Sequence, residues 1–142
     1  MKQLNPRDHY KILGKVGEGG YAKILKCQRL SDNQEVVLKH TGNSDVQKSS
    51  VIKECKLLSA LKSENIVNCE EVLEFEGRIW VFLEYMEGGD LSKIVLNSDL
   101  AYSEEFCKYT LLMVARGLST MHTNNVLHRD MKADNILCRP NG

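Results

Sequence analysis

The run His128-Arg129-Asp130-Met131-Lys132-Ala133-Asp134-Asn135 places three complementary chemistries in one short loop. Asp130 brings a carboxylate able to accept a hydroxyl proton. Lys132 brings an ammonium able to neutralise a transferring phosphoryl group, and Asn135 an amide oxygen able to bind Mg2+. A bland charged loop seldom matches the order HRDxKxxN. Far upstream, Gly17-Glu18-Gly19-Gly20-Tyr21-Ala22-Lys23-Ile24 sets glycines in a turn, where missing side chains let backbone N–H groups approach phosphates. This turn leads from strand to strand. A Walker A loop ends in GK[ST] and opens a helix, and the dinucleotide fingerprint also runs from strand to helix. Lys39 ends the apolar run Val36-Val37-Leu38, and Glu54 falls on the apolar side of a helical stripe. A carboxylate there is costly unless paired, and Lys39 is the nearest upstream cation on an adjoining element. Taken singly, each feature also has a plainer reading: a glycine-rich hairpin, a solvated strand-end lysine, a glutamate reaching water from the stripe's edge.

These side chains need elements to hold them. Tyr10 to Val16 and Ala22 to Arg29 read as strands around the glycine cluster, and Ser31-Asp32-Asn33-Gln34 as a turn into the Val36-Val37-Leu38 strand, which makes a three-stranded meander. Glu54, Leu57, Leu58 and Leu61 recur at helical spacing. Val67 to Phe75 and Arg78 to Tyr85 are strand-like, with Glu76-Gly77 as a tight hairpin turn. After the glycine pair Gly88-Gly89, read as a hinge, the pattern becomes helical: a short helix near Leu91 to Leu96 and a long one over Ser103 to His122. Ser103 is its N-cap, Glu104 and Glu105 fill its first turn, and Phe106, Tyr109, Met113, Gly117 and Met121 share a face.

The 142 residues, 42% hydrophobic and 27% charged, fit one compact domain or a large piece of one. Nineteen basic side chains balance nineteen acidic ones, so no summed field draws the chain toward nucleic acid or an anionic membrane. The cysteines Cys27, Cys55, Cys69, Cys107 and Cys138 are odd in number and widely spaced, without the clustering of a zinc site, which suits a reducing interior. Neither a signal-peptide core nor an apolar run long enough to span a bilayer is present, and the expected location is cytoplasmic.

In order and spacing these runs resemble the eukaryotic protein kinase family over nearly the whole chain. GEGGYAKI is similar to the family's phosphate loop, VVLK to its strand-three lysine, ECKLLSALKSENIV to its glutamate helix and the strand beyond, VFLEYMEGGDL to its hinge, and HRDMKADN to its catalytic loop. The lysine two residues after Asp130 is the serine/threonine form of that loop. Kinases acting above MAP kinases and the NimA-like group are the nearest in kind. The resemblance implies an α+β fold: a five-stranded antiparallel N-lobe with one helix over residues 10–86, then hinge exit, two helices and the catalytic loop of an incomplete helical C-lobe over residues 87–142. It implies ATP between the lobes, its adenine against Val16, Ile24, Val37 and the backbone from Glu84 to Met86, with Leu83 as gatekeeper. Gly17, Glu18, Gly19, Gly20, Tyr21, Ala22 and Lys23 would cover the phosphates, and Lys39, held by Glu54, would contact them. Asn135 would bind Mg2+, Asp130 would orient a protein serine or threonine hydroxyl, and Lys132 would lie beside the γ-phosphate. A protein substrate and ATP are the implied partners, with no nucleic acid and no membrane segment.

Two departures bear on this. Ala22 stands at the third loop glycine, and only seven residues follow Asn135, so the DFG, activation-loop and APE motifs lie outside this sequence. The DFG aspartate is a principal metal ligand, so the chain by itself is expected to be weakly active or inactive. It is also expected to fold poorly, because Phe106, Tyr109, Met113, Val114, Leu118 and Met121 lie where further helices of the family would cover them. A truncated nucleotide- or partner-binding module and a non-functional fragment are the competing readings.

Overall fold

The computed structural model describes residues 4–19, 22–40, 45–97 and 103–140. They form two compact units, residues 1–62 with 67–85, and residues 63–66 with 86–142.

The first unit is a five-stranded antiparallel sheet with one helix. Strands β1 (Tyr10–Gly19), β2 (Ala22–Arg29) and β3 (Glu35–His40) follow one another as a meander. Helix α1 (Asp45–Ala60) comes next, then the hairpin of β4 (Cys69–Phe75) and β5 (Arg78–Glu84). The spatial order is β1-β2-β3-β5-β4, so β5 sits between β3 and β4. β1 runs on past Val16 to Gly19 because its pairing with β2 continues, with shifts of register between Ile12 and Gly14 and between Lys15 and Gly17. The hairpin turn falls at Glu76 and Gly77, with φ of 49° and 70°; two successive positive φ values match the right-handed twist of the flanking strands.

Alternation along the strands divides the apolar residues between the two faces of the sheet. Tyr10, Cys27, Val36, Leu38, Leu73 and Phe82 are buried together on one face, and the Tyr10 ring stacks on Phe82 with centroids 3.6 Å apart. The Tyr10 hydroxyl donates to Glu71 Oε2 at 2.7 Å; burial, then this carboxylate, push its ionisation up. On the other face Cys69, Ile79 and Val81 pack with Cys55 of α1, joined by Val51, Ile52 and Leu58.

The inward face of α1 differs from the expected stripe. Leu57 is 47% exposed and Glu54 also points toward water, whereas Val51, Ile52, Cys55 and Leu58 face the sheet. The covered stripe is turned by about one residue from that of Glu54, Leu57 and Leu58, roughly 100° of helix. Leu58 belongs to both, and Leu61 is buried just beyond the helix end.

The second unit contains β6 (Gly89–Asp90), α2 (Leu91–Asn97), α3 (Glu104–Thr123) and β7 (Leu137–Cys138). β6 and β7 pair antiparallel, Gly89 opposite Cys138 and Asp90 opposite Leu137. The glycine pair read as a hinge lies inside this unit. A Cβ on Gly88 would come within 2.6 Å of the Cys138 carbonyl oxygen, and Gly89 has a φ of 78°, so close backbone approach and conformation account for both. Gly117, in the middle of α3, is explained likewise: a Cβ there would lie 2.8 Å from the Asn65 carbonyl oxygen.

Ser103 caps α3 as expected, its Oγ accepting the Phe106 N–H at 3.3 Å. Replacing Ser103 with alanine is expected to lower the stability of the second unit by ~1 kcal/mol, read as faster amide exchange in the first turn of α3. Of the six apolar residues picked out on this helix, only Tyr109 is exposed; Phe106, Met113, Val114, Leu118 and Met121 are half-buried. The most exposed apolar side chain of α3 is instead Leu111, with Leu112 beside it.

Candidate functional site

In the first unit the ladder registers decide which side chains share a face. Ile24 is opposite Lys39, Lys39 opposite Val81, and Val37 opposite Leu83. Cross-strand partners point the same way, and Val81 lies under α1. Ile24, Val37, Lys39 and Leu83 therefore point to the side of the sheet that α1 covers. From there Lys39 Nζ reaches Glu54 Oε1 at 3.7 Å. Both side chains remain partly in water, at 40% and 56% exposure, so the pair is positional rather than strongly stabilising. Glu54 is thus paired as expected, but from the wet edge of the helix and not from its buried stripe.

Val16 falls at the second register shift of β1 and is exposed, while Ile24 and Val37 are half-buried. Gly17 stands opposite Ile24, Glu18 opposite Lys23, and Gly19 opposite Ala22, so the backbone of the glycine run is hairpin up to its tip. Gly20 and Tyr21 lie outside the described residues. The Glu84 N–H is taken by the Asn68 carbonyl at 3.0 Å. In the second unit the Met86 carbonyl accepts the Gly89 N–H at 3.1 Å.

The second unit brings Asp130, Lys132 and Asn135 onto one oxygen. Lys132 Nζ lies 3.1 Å from Asp130 Oδ2, and Asn135 Nδ2 donates to the same oxygen at 2.9 Å and to the Asp130 carbonyl at 2.7 Å. Two local features make this convergence possible. Arg129 adopts a φ of 63°, a left-handed conformation that a non-glycine residue holds at a cost of ~1–3 kcal/mol, and it turns the chain sharply before Asp130. A single 3-10 turn over Ala133–Asn135 then curls Asn135 back. Lys132 first, then Asn135, hold the Asp130 carboxyl below the usual carboxylate range, so it is ionised at neutral pH and acts as an acceptor.

The same hydrogen bonds decide which way the Asn135 amide faces. With Nδ2 committed to Asp130, Oδ1 is the end left over, and no donor among the described residues bonds it. An amide oxygen beside a carboxylate is the hard donor chemistry that Mg2+ takes. Among the described residues no group of three or more His, Cys, Asp or Glu could hold a metal ion.

A buttress beneath the loop gave no sequence signal of its own. Asp90 caps α2 by accepting the Lys93 N–H at 3.0 Å and the Ser92 hydroxyl, and Ser92 Oγ also lies 3.4 Å from Asp134 Oδ1. The Leu91 N–H donates to the Ile136 carbonyl at 2.8 Å. The start of α2 is thereby tied to the residues on either side of Asn135. The Lys93 ammonium, then Ser92, lower the Asp90 pKa to about 2 from an ordinary 3.8. A depressed carboxylate stabilises the fold above its unfolded pKa and loses that contribution as pH falls through the folded value. Protection of the α2 amides from exchange is therefore expected to fall between about pH 4 and pH 2, a trend that Asp90→Asn should flatten.

The chain matches the family model described as protein kinase domain over residues 10–142. Curated relatives agree with it. The serine/threonine-protein kinase shk1/pak1 of Schizosaccharomyces pombe is 31% identical over 136 residues, covering 94% of this chain and 20% of that protein. The serine/threonine-protein kinases STE20 of Debaryomyces hansenii and of Saccharomyces cerevisiae are 34% and 33% identical over 142 and 141 residues, each covering 97% of this chain and 13% and 15% of theirs. The chain thus spans a fifth or less of the length of these relatives. No helix among the described residues is long and apolar enough to cross a membrane. With the motif order, the five-stranded sheet and the match running through both units, the chain belongs to the protein kinase domain family.

Proposed function

We propose that these residues serve a protein serine/threonine kinase, which transfers the γ-phosphoryl group of ATP to a protein hydroxyl. The observation that carries this reading is the convergence of Lys132 and Asn135 on Asp130 Oδ2, at 3.1 and 2.9 Å. An ionised carboxylate so held accepts the hydrogen bond of an incoming serine or threonine hydroxyl and directs its oxygen toward phosphorus. Lys132, 3.1 Å from the same carboxylate oxygen, offers positive charge to the phosphoryl oxygens as negative charge shifts during transfer. Lys39, steadied by Glu54 at 3.7 Å, offers the same to the α- and β-phosphates. Ile24 and Val37 offer apolar surface to the adenine, with Val16 and the backbone of Glu84, and Leu83 lies on the face that Ile24 and Val37 share. Gly17, Glu18, Gly19, Ala22 and Lys23 would cover the phosphates. Asn135 would hold Mg2+ through Oδ1; bound there, the ion supplies charge neutralisation for the phosphates.

The relatives are named serine/threonine-protein kinases, and the lysine two residues past Asp130 agrees with that class. The reading is tested by incubating the protein that carries these residues with γ-labelled ATP and a mixed protein substrate, followed by phosphoamino-acid analysis. Label is expected on serine and threonine. Label on tyrosine alone, or nucleotide binding without any transfer, would refute the proposal.

A further inference from the structure

Helix α1 carries Cys55 directly after Glu54, and β4 opens at Cys69. Both thiols are free and buried, at 4% and 7% exposure, in the apolar layer between α1 and the sheet beside Ile79 and Val81. Cys55 of α1 and Cys69 of β4 belong to one packed cluster, and Ser59 follows one turn along α1. The Ser59 hydroxyl lies 2.8 Å from the Cys55 carbonyl oxygen, which fixes it on that side of the helix. Charged groups facing the pair are Glu54, Glu70 and Lys39. Ile79 and Val81 bring no polar atom, so the two thiols are the polar groups of that buried cluster. Of the pair, the neighbouring Cys55 thiol favours ionisation of Cys69, while Cys55, beside Cys69 and buried, holds its proton more tightly than an ordinary thiol. A proton lost from one sulfur leaves a second thiol within the same buried cluster.

We propose that Cys55 and Cys69 are a covalent modification site, a dithiol that a hydroperoxide converts to a reversible disulfide joining α1 to β4. The Cys69 thiolate attacks one peroxide oxygen. An S–O bond forms, the O–O bond breaks, and the departing oxygen takes up a proton, leaving Cys69 as a sulfenic acid. The Cys55 sulfur then attacks the Cys69 sulfur, the S–S bond forms, the S–O bond breaks, and hydroxide leaves with the Cys55 proton as water. The two thiols together lose two electrons, and with hydrogen peroxide as oxidant the products are one disulfide and two waters. Cys107, the exposed thiol, is the natural competitor for oxidant but has no second cysteine in its helix. Formation of the bond does not depend on phosphoryl transfer.

The test treats the reduced chain with equimolar hydrogen peroxide, alkylates the remaining thiols after unfolding, and maps the digest by mass spectrometry. The expected product is a peptide pair cross-linked through Cys55 and Cys69, released by dithiothreitol, and formed at least about tenfold faster in the folded chain than in denaturant. Amide exchange across α1 is expected to slow on oxidation, and in Cys69→Ala the cross-link should vanish while Cys55 is recovered as a free thiol. Recovery of both cysteines unmodified while Cys107 is oxidised overturns the proposal. So does a different cross-linked pair, or equal rates in the folded and unfolded chains.

Discussion

Replacing Asp130 with alanine is expected to lower kcat by ~10²–10⁴-fold in the protein that carries these residues, with little change in the KM for ATP. The acceptor for the hydroxyl proton is removed, and Lys132 and Asn135 lose the oxygen on which both converge. Nucleotide affinity is assigned largely to other residues, so the effect belongs in kcat. Asp130→Asn sharpens the measurement: it keeps an acceptor oxygen near Lys132 but removes the charge, and its loss should approach that of alanine if the ionised carboxylate matters. Lys39→Met should also cripple transfer, because the α- and β-phosphates then lose the ammonium that Glu54 steadies. Steady-state kinetics of all three variants decide the matter. A kcat for Asp130→Ala within tenfold of the parent would show that another group receives the proton.

Phe82→Ala is expected to give the largest loss of stability, ~3–5 kcal/mol in the first unit. Phe82 has no exposed surface, fills the layer among Val36, Leu38 and Leu73, and carries the stacked Tyr10 ring. Truncation would leave a cavity where β1, β3, β4 and β5 meet and remove one ring of an aromatic pair. A loss of that size is comparable to much of a small domain's net stability. Denaturant unfolding followed by Trp80 fluorescence measures it, since Trp80 is packed against the same layer. A shift below 1 kcal/mol would mean that the layer closes over the gap.

Much of the fold was readable where neighbours in sequence are neighbours in space. The limits of β2, the Glu76-Gly77 turn and the Ser103 cap each follow from the local chemistry of a few residues. The loop of Asp130, Lys132 and Asn135 was legible for the same reason, since its spacing suffices to bring the three side chains together once the chain turns. The turn itself was not, because nothing about an arginine announces the positive φ of Arg129. The face of α1 was misread because Leu57 outranks Cys55 in hydrophobicity while Cys55 is the one that meets Cys69, a partner set by the register of a distant strand. Glu54 reached Lys39 nonetheless, by a route through solvent. The strap from Asp90 and Ser92 to Asp134 depends on the pairing of β6 with β7, which two-residue strands do not advertise.

The placement of β5 between β3 and β4 has a kinetic consequence. The β1-β2-β3 meander and the β4-β5 hairpin each need only short loops to close, and each can form on a microsecond timescale typical of hairpins. Joining them requires β3 to find β5 across the whole stretch 41–77, which must be gathered in before the Val36 to Glu84 and Lys39 to Val81 pairs return any stabilisation. That single non-local ladder is where the entropy of closure concentrates, so it sets the slow step of assembly. Until it forms, β3 and β5 each present an unpaired edge rich in β-branched and aromatic residues, which makes the interval before docking the time when neighbouring chains can compete for the same hydrogen bonds.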